Sequence, residues 1–340
     1  MNNLKLTRIK MVDNGLSDGP CPERDVIWED CLFTHDATCE DYDWIVVYDD
    51  FPRRNIGTVI REVEPLRCPP NQTILLTMEP PSIKIYGSPY TSQFGAVLTT
   101  HPQELMPRTN YHLGKGCVEW HYGKALNEVL TQQEFQKTKI ISTICSAKQQ
   151  THTLHKKRYV LTKYLSEKLP ELEWYGHGVR ELGKKMDAMD DYKYHLAVEN
   201  HCESHHWTEK LADSFLAMTL PFYSGDPCAA ECFPPESFIP IPIDQPEEAY
   251  RIIRNAIDKG EYEKRLPFIR EARQRVIKQY NLYAQVVAII HQHRDSGVKQ
   301  SVIPKAVLKG RHALRRNPIN MLLCVWERLK YQLFLKHRLK

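Results

Sequence analysis

The chain has 340 residues, of which 42% are hydrophobic and 26% charged, with a formal net charge of +4. That balance excludes disordered, fibrous and collagen-like chains, and the length suffices for two domains with separate cores. No run of 18 apolar residues is present, so no transmembrane helix is expected.

In chain order, short apolar or alternating runs at 4–12, 44–48, 73–78 and 95–99 read as strands, each flanked by Pro, Gly, Asn or Asp. Helical spacing is weak in this half, apart from 124–137. The rhythm changes after Lys139: an apolar run at 139–145, a helix-like stretch at 153–168, and a run at 172–175 meeting a turn at Gly176 to Gly178. A strand at 192–198, a helix at 208–218 and a strand at 220–223 continue the alternation, which predicts parallel sheet covered by helices. Stretches 246–259 and 261–280 have helical spacing with charged outer faces, and a third helix is expected over 282–293. The domain limits that follow are 1–138, 139–296 and a tail, 297–340. Gly176, Gly178 and Gly183 do not make a dinucleotide fingerprint, because the third glycine comes two places late; a plain turn is the reading.

The net charge hides an asymmetry. Residues 305–340 hold ten Lys/Arg against Glu327 alone, a net +9, leaving −5 for the preceding 304 residues. Ile319, Leu322, Leu323, Trp326, Leu329, Leu333 and Phe334 fall on one helical face, with Arg328, Lys330 and Lys336 around it. This is the composition of an interfacial membrane segment, to which each cation near anionic lipid adds about 1 kcal/mol. The alternative is a helix packed by that face on the protein's own core. The start, MNNLKLTRIKMVDN, lacks the apolar centre of a secretory signal, so the cytoplasm, at the inner face of the membrane, is the expected location. The ten cysteines are expected as reduced thiols. His201, Cys202, His205, His206, Cys228 and Cys232 lie near one another in sequence but fit no common zinc spacing, and buried Cys with loop His is the reading preferred.

The richest segment is YKYHLAVENHCESHHWTEKLADSFLAMTLPFYSGDPCAAECFPPESFIP, residues 192–240. A strand ends at Glu199-Asn200, a polar loop follows, and Thr208-Glu209-Lys210 opens a helix. Thr208 suits the N-cap, and Lys210 adds an ammonium group to the free N–H groups of the first turn, a good setting for phosphate. By position alone Lys210 is a surface lysine, Arg158 with Lys156 and Lys157 is a basic helix face, and Glu79 before Pro80-Pro81 is a turn residue. Asp49-Asp50 and Asp190-Asp191 are adjacent acids that point apart, and no Asp-x-Asp pair stands ready for a metal diphosphate.

The order Glu199, Asn200, Thr208, Glu209, Lys210, Pro221, Tyr223, Gly225, Phe233, Pro234, Ser237, Phe238, Ile239 resembles the donor-binding core of the family 10 glycosyltransferases, the α-1,3/1,4-fucosyltransferases. His206 stands where that family usually has tyrosine, and Pro80 where it commonly has asparagine. The resemblance, clear over 139–293, implies an α/β fold of the GT-B type: two Rossmann-like domains facing a central cleft, here with a C-terminal basic amphipathic helix. It implies an inverting transferase that moves L-fucose from GDP-fucose to a hydroxyl of an oligosaccharide or lipid-linked glycan. It places Lys210 and Arg158 on the donor diphosphate, Glu209 on the ribose hydroxyls, and Glu199 and Asn200 near fucose and nucleotide. Tyr223 and Gly225 are candidates for the wall facing the base. Glu79, at a strand's carboxyl end, corresponds to the catalytic base. No metal or cofactor is obligatory, since two cationic side chains can meet the leaving diphosphate; a divalent ion that stimulates turnover is compatible. The rivals are a GT-B transferase of another nucleotide sugar, and a non-catalytic membrane or nucleic-acid-binding protein acting through its tail. An acidic body without a basic, aromatic-interleaved stripe argues against nucleic acid as partner.

Overall fold

The computed structural model describes residues 6–13, 25–51, 55–56, 59–60, 62–106, 110–114, 122–151, 153–296 and 306–335. The chain divides into two compact units, Met1–Cys117 with Leu282–Lys340, and Val118–Asn281. The first holds a seven-stranded sheet in the order Tyr111–Leu113, Ala96–Thr99, Thr73–Leu76, Trp44–Tyr48, Thr7–Asp13, Cys31–Thr34, Asp25–Trp28. Every neighbouring pair is parallel except the last. The apolar runs of Trp44–Tyr48, Thr73–Leu76 and Ala96–Thr99 are buried throughout, as strands covered on both faces must be. All four expected strands of this half are present: Trp44–Tyr48 as expected, Thr7–Asp13 ending one residue later, and Thr73–Leu76 and Ala96–Thr99 shorter; residues 4 and 5 lie outside the described residues.

The second unit is a five-stranded, wholly parallel sheet: Leu172–Tyr175, Lys139–Ile144, Tyr192–Val198, Leu220–Ser224, Ile239–Pro240. Helices His155–Lys168, Glu209–Leu216, Pro246–Asp258 and Glu261–Lys278 bury Leu161, Leu165, Leu211, Phe215, Ile253, Ile269 and Val276 into its core. Gly176 follows Leu172–Tyr175 at φ +140°, and a Cβ there would meet the Cys145 carbonyl oxygen at 2.5 Å, so the turn needs glycine for space and for conformation. Two α/β units, each with parallel sheet, make the composition of the GT-B class.

The limits 1–138, 139–296 and 297–340 need correction at every boundary. Tyr122 and Val129 are wholly buried in the second core, and Arg273 donates to the Val129 carbonyl at 2.7 Å, so the short helix Leu126–Thr131 belongs there. Helix Leu282–Asp295 returns to the first unit: the Tyr283 ring packs edge-on against Phe33 at 4.8 Å, and His291 and Arg294 both reach Asp30. The tail is not a separate body, because Val307–Lys309 pairs antiparallel with Val63–Pro65 and Leu308 is buried.

Helix Pro318–Lys330 shows which tail face is packed. Glu327 is buried and its carboxylate accepts the Ser88 N–H at 3.0 and 3.1 Å; Tyr331 is buried as well. The apolar stripe faces outward: Ile319 is 68% exposed, Leu322 64%, Trp326 59% and Leu333 65%. The Phe334 side chain and Lys336 lie outside the described residues.

Candidate active site

Parallel strands send their carboxyl ends to one edge, where the following loops and helix starts collect. Arg158 enters that edge of the second sheet from the first turn of His155–Lys168 and is nearly buried. One Nη donates to the Asn200 side-chain oxygen, and the other to the Ile144 carbonyl at 3.1 Å. The Arg158 Nε is buried without a hydrogen-bond partner, a donor oriented before any ligand arrives.

Thr208 caps Glu209–Leu216 from an extended backbone, its hydroxyl accepting the Lys210 N–H at 3.4 Å. The same residue seats Glu199, whose two oxygens accept the Thr208 N–H at 2.9 Å and its hydroxyl at 2.6 Å. The Lys210 ammonium lies 2.8 Å from Glu209 and 3.3 Å from Glu199. Burial raises the Glu199 carboxyl above its ordinary value, with Lys210 opposing. Burial also works against the charge of Glu209, but Lys210 and Lys185 outweigh it and hold that carboxyl below its ordinary value. For Lys210 itself, burial is overcome by Glu199 and Glu209, and the ammonium is strengthened.

Arg158, Glu209 and Lys210 line one cavity of about 180 Å³, together with Lys185 and His195. Of six residues singled out from sequence, Arg158, Glu209 and Lys210 line it, and Asn200, Thr208 and Glu199 touch those three: Asn200 on Arg158, Thr208 and Glu199 on Lys210. Tyr223 and Gly225, like Glu199, Asn200 and Thr208, are not among the residues that line the cavity, and Gly225 packs against Glu199 and Tyr223. A Cβ on Gly225 would lie 2.3 Å from the Glu199 Cγ and 2.5 Å from the Tyr223 hydroxyl, so only glycine lets this loop close on the buried carboxylate. The Tyr223 hydroxyl accepts the Asp226 N–H at 2.9 Å.

Two cavity residues escaped the sequence reading. Lys185, on the short helix Lys185–Ala188, pairs with buried Asp213 at 3.1 Å and Glu209 at 3.8 Å. Its sequence surroundings carry no motif. His195 lies mid-strand and looks like any core residue. Ser142 has one hydroxyl hydrogen and spends it on the Ala188 carbonyl, which can only accept. The 2.8 Å contact between Ser142 Oγ and His195 Nδ1 must then be donated by the imidazole, leaving Nε2 with its lone pair. Burial, then Lys185, Arg158 and Lys137, lower the His195 value to about 3. A histidine depressed in the folded state contributes stability that is full above its unfolded value and is lost as pH falls through the folded one. Urea titrations of the wild type should thus show stability falling between pH 6.5 and 4. His195→Asn, which keeps a donor near Nδ1, should reduce that slope by up to about 1.4 kcal/mol per pH unit. Equal slopes in both proteins would contradict the assignment.

Glu79 belongs to the first unit, three residues beyond strand Thr73–Leu76, with its side chain exposed. Its backbone is fixed on both sides. The Tyr86 hydroxyl accepts the N–H groups of Met78 and Glu79 at 2.8 and 3.3 Å and donates to Asp49 at 2.5 Å. His101, lowered to about 4 by burial, donates its Nε2–H to the Glu79 carbonyl at 2.9 Å. Asp49 and Asp50 do point apart: Asp49 takes Lys84 and Tyr86, while Asp50 accepts the N–H groups of Phe51 and Arg311.

Residues 134–253 match the sequence model of the glycosyltransferase family 10 (fucosyltransferase) C-terminal domain. No curated protein matches the chain in sequence. Among solved structures, an α1,3-fucosyltransferase with GDP-fucose is similar at 15% identity and TM-score 0.45, covering 88% of this chain and 93% of its own. A glycosyltransferase from Rickettsia africae ESF-5 is similar at 9% identity and TM-score 0.48, covering 87% and 100%. The family match spans every residue of the cavity, and what it shows is a glycosyltransferase family 10 (fucosyltransferase) C-terminal domain over residues 134–253.

Proposed function

We propose that this protein transfers L-fucose from GDP-fucose to a hydroxyl of a glycan acceptor, with inversion at the sugar carbon and an α-1,3-type linkage. The observation that supports the donor assignment is the joint lining of one cavity by Arg158, Lys210 and Glu209 inside the family match. In the reaction, Glu79 takes the acceptor proton as the acceptor oxygen bonds to the sugar carbon. The bond from that carbon to the phosphate oxygen breaks, and GDP leaves with the electron pair, its charge met by Arg158 and Lys210. One displacement with one base gives inversion. Two side-chain cations do the electrostatic work, so a divalent ion is at most stimulatory. Thermal shift with GDP, UDP and ADP tests the donor: a rise selective for GDP is expected. A rise selective for UDP would instead make this a transferase of another nucleotide sugar, and no response to any of them would favour a non-catalytic binding protein.

The acceptor, in this proposal, is a lipid-linked precursor of lipopolysaccharide or another surface glycan, reached from the cytoplasmic face of the membrane. Support comes from the outward apolar stripe of Pro318–Lys330 amid the basic charge of the tail. Deleting 305–340 would also remove buried Leu308 and the pairing with Val63–Pro65, so substitutions on the exposed face isolate membrane contact better. Leu322→Gln with Trp326→Gln should lower sedimentation with anionic vesicles more than tenfold, since each side chain contributes about 1.5–3 kcal/mol when buried in lipid. Sedimentation equal to that of the wild type would remove the membrane role.

A further inference from the structure

Outside the donor cavity, the loop before Thr208 and the segment after Gly225 bring together three side chains that sequence spacing did not connect. His205, Cys228 and Glu231 place one ligand atom each within 4.8 Å of one another, and the His205 Nδ1 is 3.6 Å from a Glu231 oxygen. We infer that these three residues form a binding site for a zinc-class divalent ion.

Tetrahedral zinc with bonds of about 2.0–2.3 Å sets its ligand atoms roughly 3.3–3.7 Å apart, so closing this cluster brings ligand atoms together by at most about 1.5 Å. The backbone is already arranged for it. One oxygen of buried Asp226 accepts the N–H of His205 at 2.8 Å and the N–H of Cys228 at 2.8 Å, fixing both ligand-bearing segments to one point. His205 is held at φ +62°, a left-handed conformation that costs a non-glycine residue about 1 kcal/mol or more and that concentrates at ligand sites.

The donor set decides the class of ion. Imidazole, thiolate and carboxylate together suit zinc, whereas magnesium and calcium prefer oxygen ligands throughout. Three protein ligands leave the fourth position to water. Three neighbouring groups of this stretch are engaged or buried: Cys232 is wholly buried and accepts the Trp207 indole N–H at 3.3 Å, Cys202 donates to the Gly225 carbonyl at 2.9 Å, and His206 is buried. A second grouping, Glu29, Asp30 and His291, is closed by Arg294 on Asp30 and is better read as an ion-pair cluster.

None of the three ligands lines the donor cavity, so the ion is not a partner of the diphosphate. It staples the two segments that flank Glu199 and Gly225. On binding, the Cys228 S–H bond breaks, a sulfur–zinc bond forms and the proton leaves to solvent, so affinity rises with pH.

The test uses the full chain, stripped with a chelator and titrated with zinc chloride, with metal content read after gel filtration. One zinc per chain is expected, together with a higher thermal midpoint. Cobalt in its place should give a thiolate-to-cobalt charge-transfer band. Cys228→Ser should lose that band and weaken zinc binding by more than about tenfold, since even a supporting residue of such sites is worth that much. Cys202→Ser should keep both. Failure of the wild type to retain zinc near one equivalent would overturn the site without reference to any variant, as would equal zinc affinity in wild type and Cys228→Ser.

Discussion

Glu79→Gln should lower glycosyl transfer by about 10²–10⁴, the usual contribution of a positioned general base, while the affinity for GDP stays nearly unchanged. The substitution preserves shape and removes only the capacity to take a proton. Its structural cost should be within about 0.5 kcal/mol, because the carboxylate is exposed and the local fold rests on backbone bonds to Tyr86 and His101. GDP release in the presence of an oligosaccharide panel gives the rate, and calorimetry with GDP gives the affinity. Wild-type turnover in Glu79→Gln would remove Glu79 as base; loss of GDP affinity along with rate would point to a donor role instead.

Lys210→Ala should behave differently, weakening GDP and lowering kcat/KM together by about 10²–10³, the scale of losing a charged group aimed at developing negative charge. It should also destabilise the second unit by about 1–3 kcal/mol, because Glu199 keeps its Thr208 bonds but loses the ammonium 3.3 Å away. That cost depends on pH in a stated direction. The Glu199 carboxyl is already raised in the fold, and removing Lys210 raises it further. A raised carboxyl forfeits stability as pH climbs from its unfolded value through its folded one, so the deficit should be small in acid and grow toward neutrality. Lys210→Met, which keeps the packed stem, should show the same trend. A deficit independent of pH would mean that Glu199 is not electrostatically tied to Lys210.

The donor side of the site was legible because its signals are local. Thr208 caps the helix it opens, Glu199 and Asn200 directly follow a strand that closes on the apolar run Leu196–Val198, and Gly225 follows the next strand. The edge hairpin of the first sheet was not legible: Asp25–Trp28 and Cys31–Thr34 are short, and Glu29 turns between them at φ +51°, without the glycine or asparagine that marks such turns. Lys185 and His195 stayed hidden for another reason, since each acquires its surroundings from residues distant in sequence, Asp213 for one and Ser142 for the other.

The sequence by itself determined the alternation of strands and helices over 139–280, the motif order that residues 134–253 share with a known family domain, and the amphipathic character of the tail, because period, capping and motif order are properties of neighbouring residues. Only the tertiary structure decided that Arg158 shares a cavity with Lys210, that helix Leu282–Asp295 joins the first unit, and that the tail buries Glu327 and leaves Trp326 outside. It likewise decided that His205 meets Cys228. Those outcomes depend on which surfaces pack together, and burial competes for partners across the whole chain, beyond what a local pattern can encode.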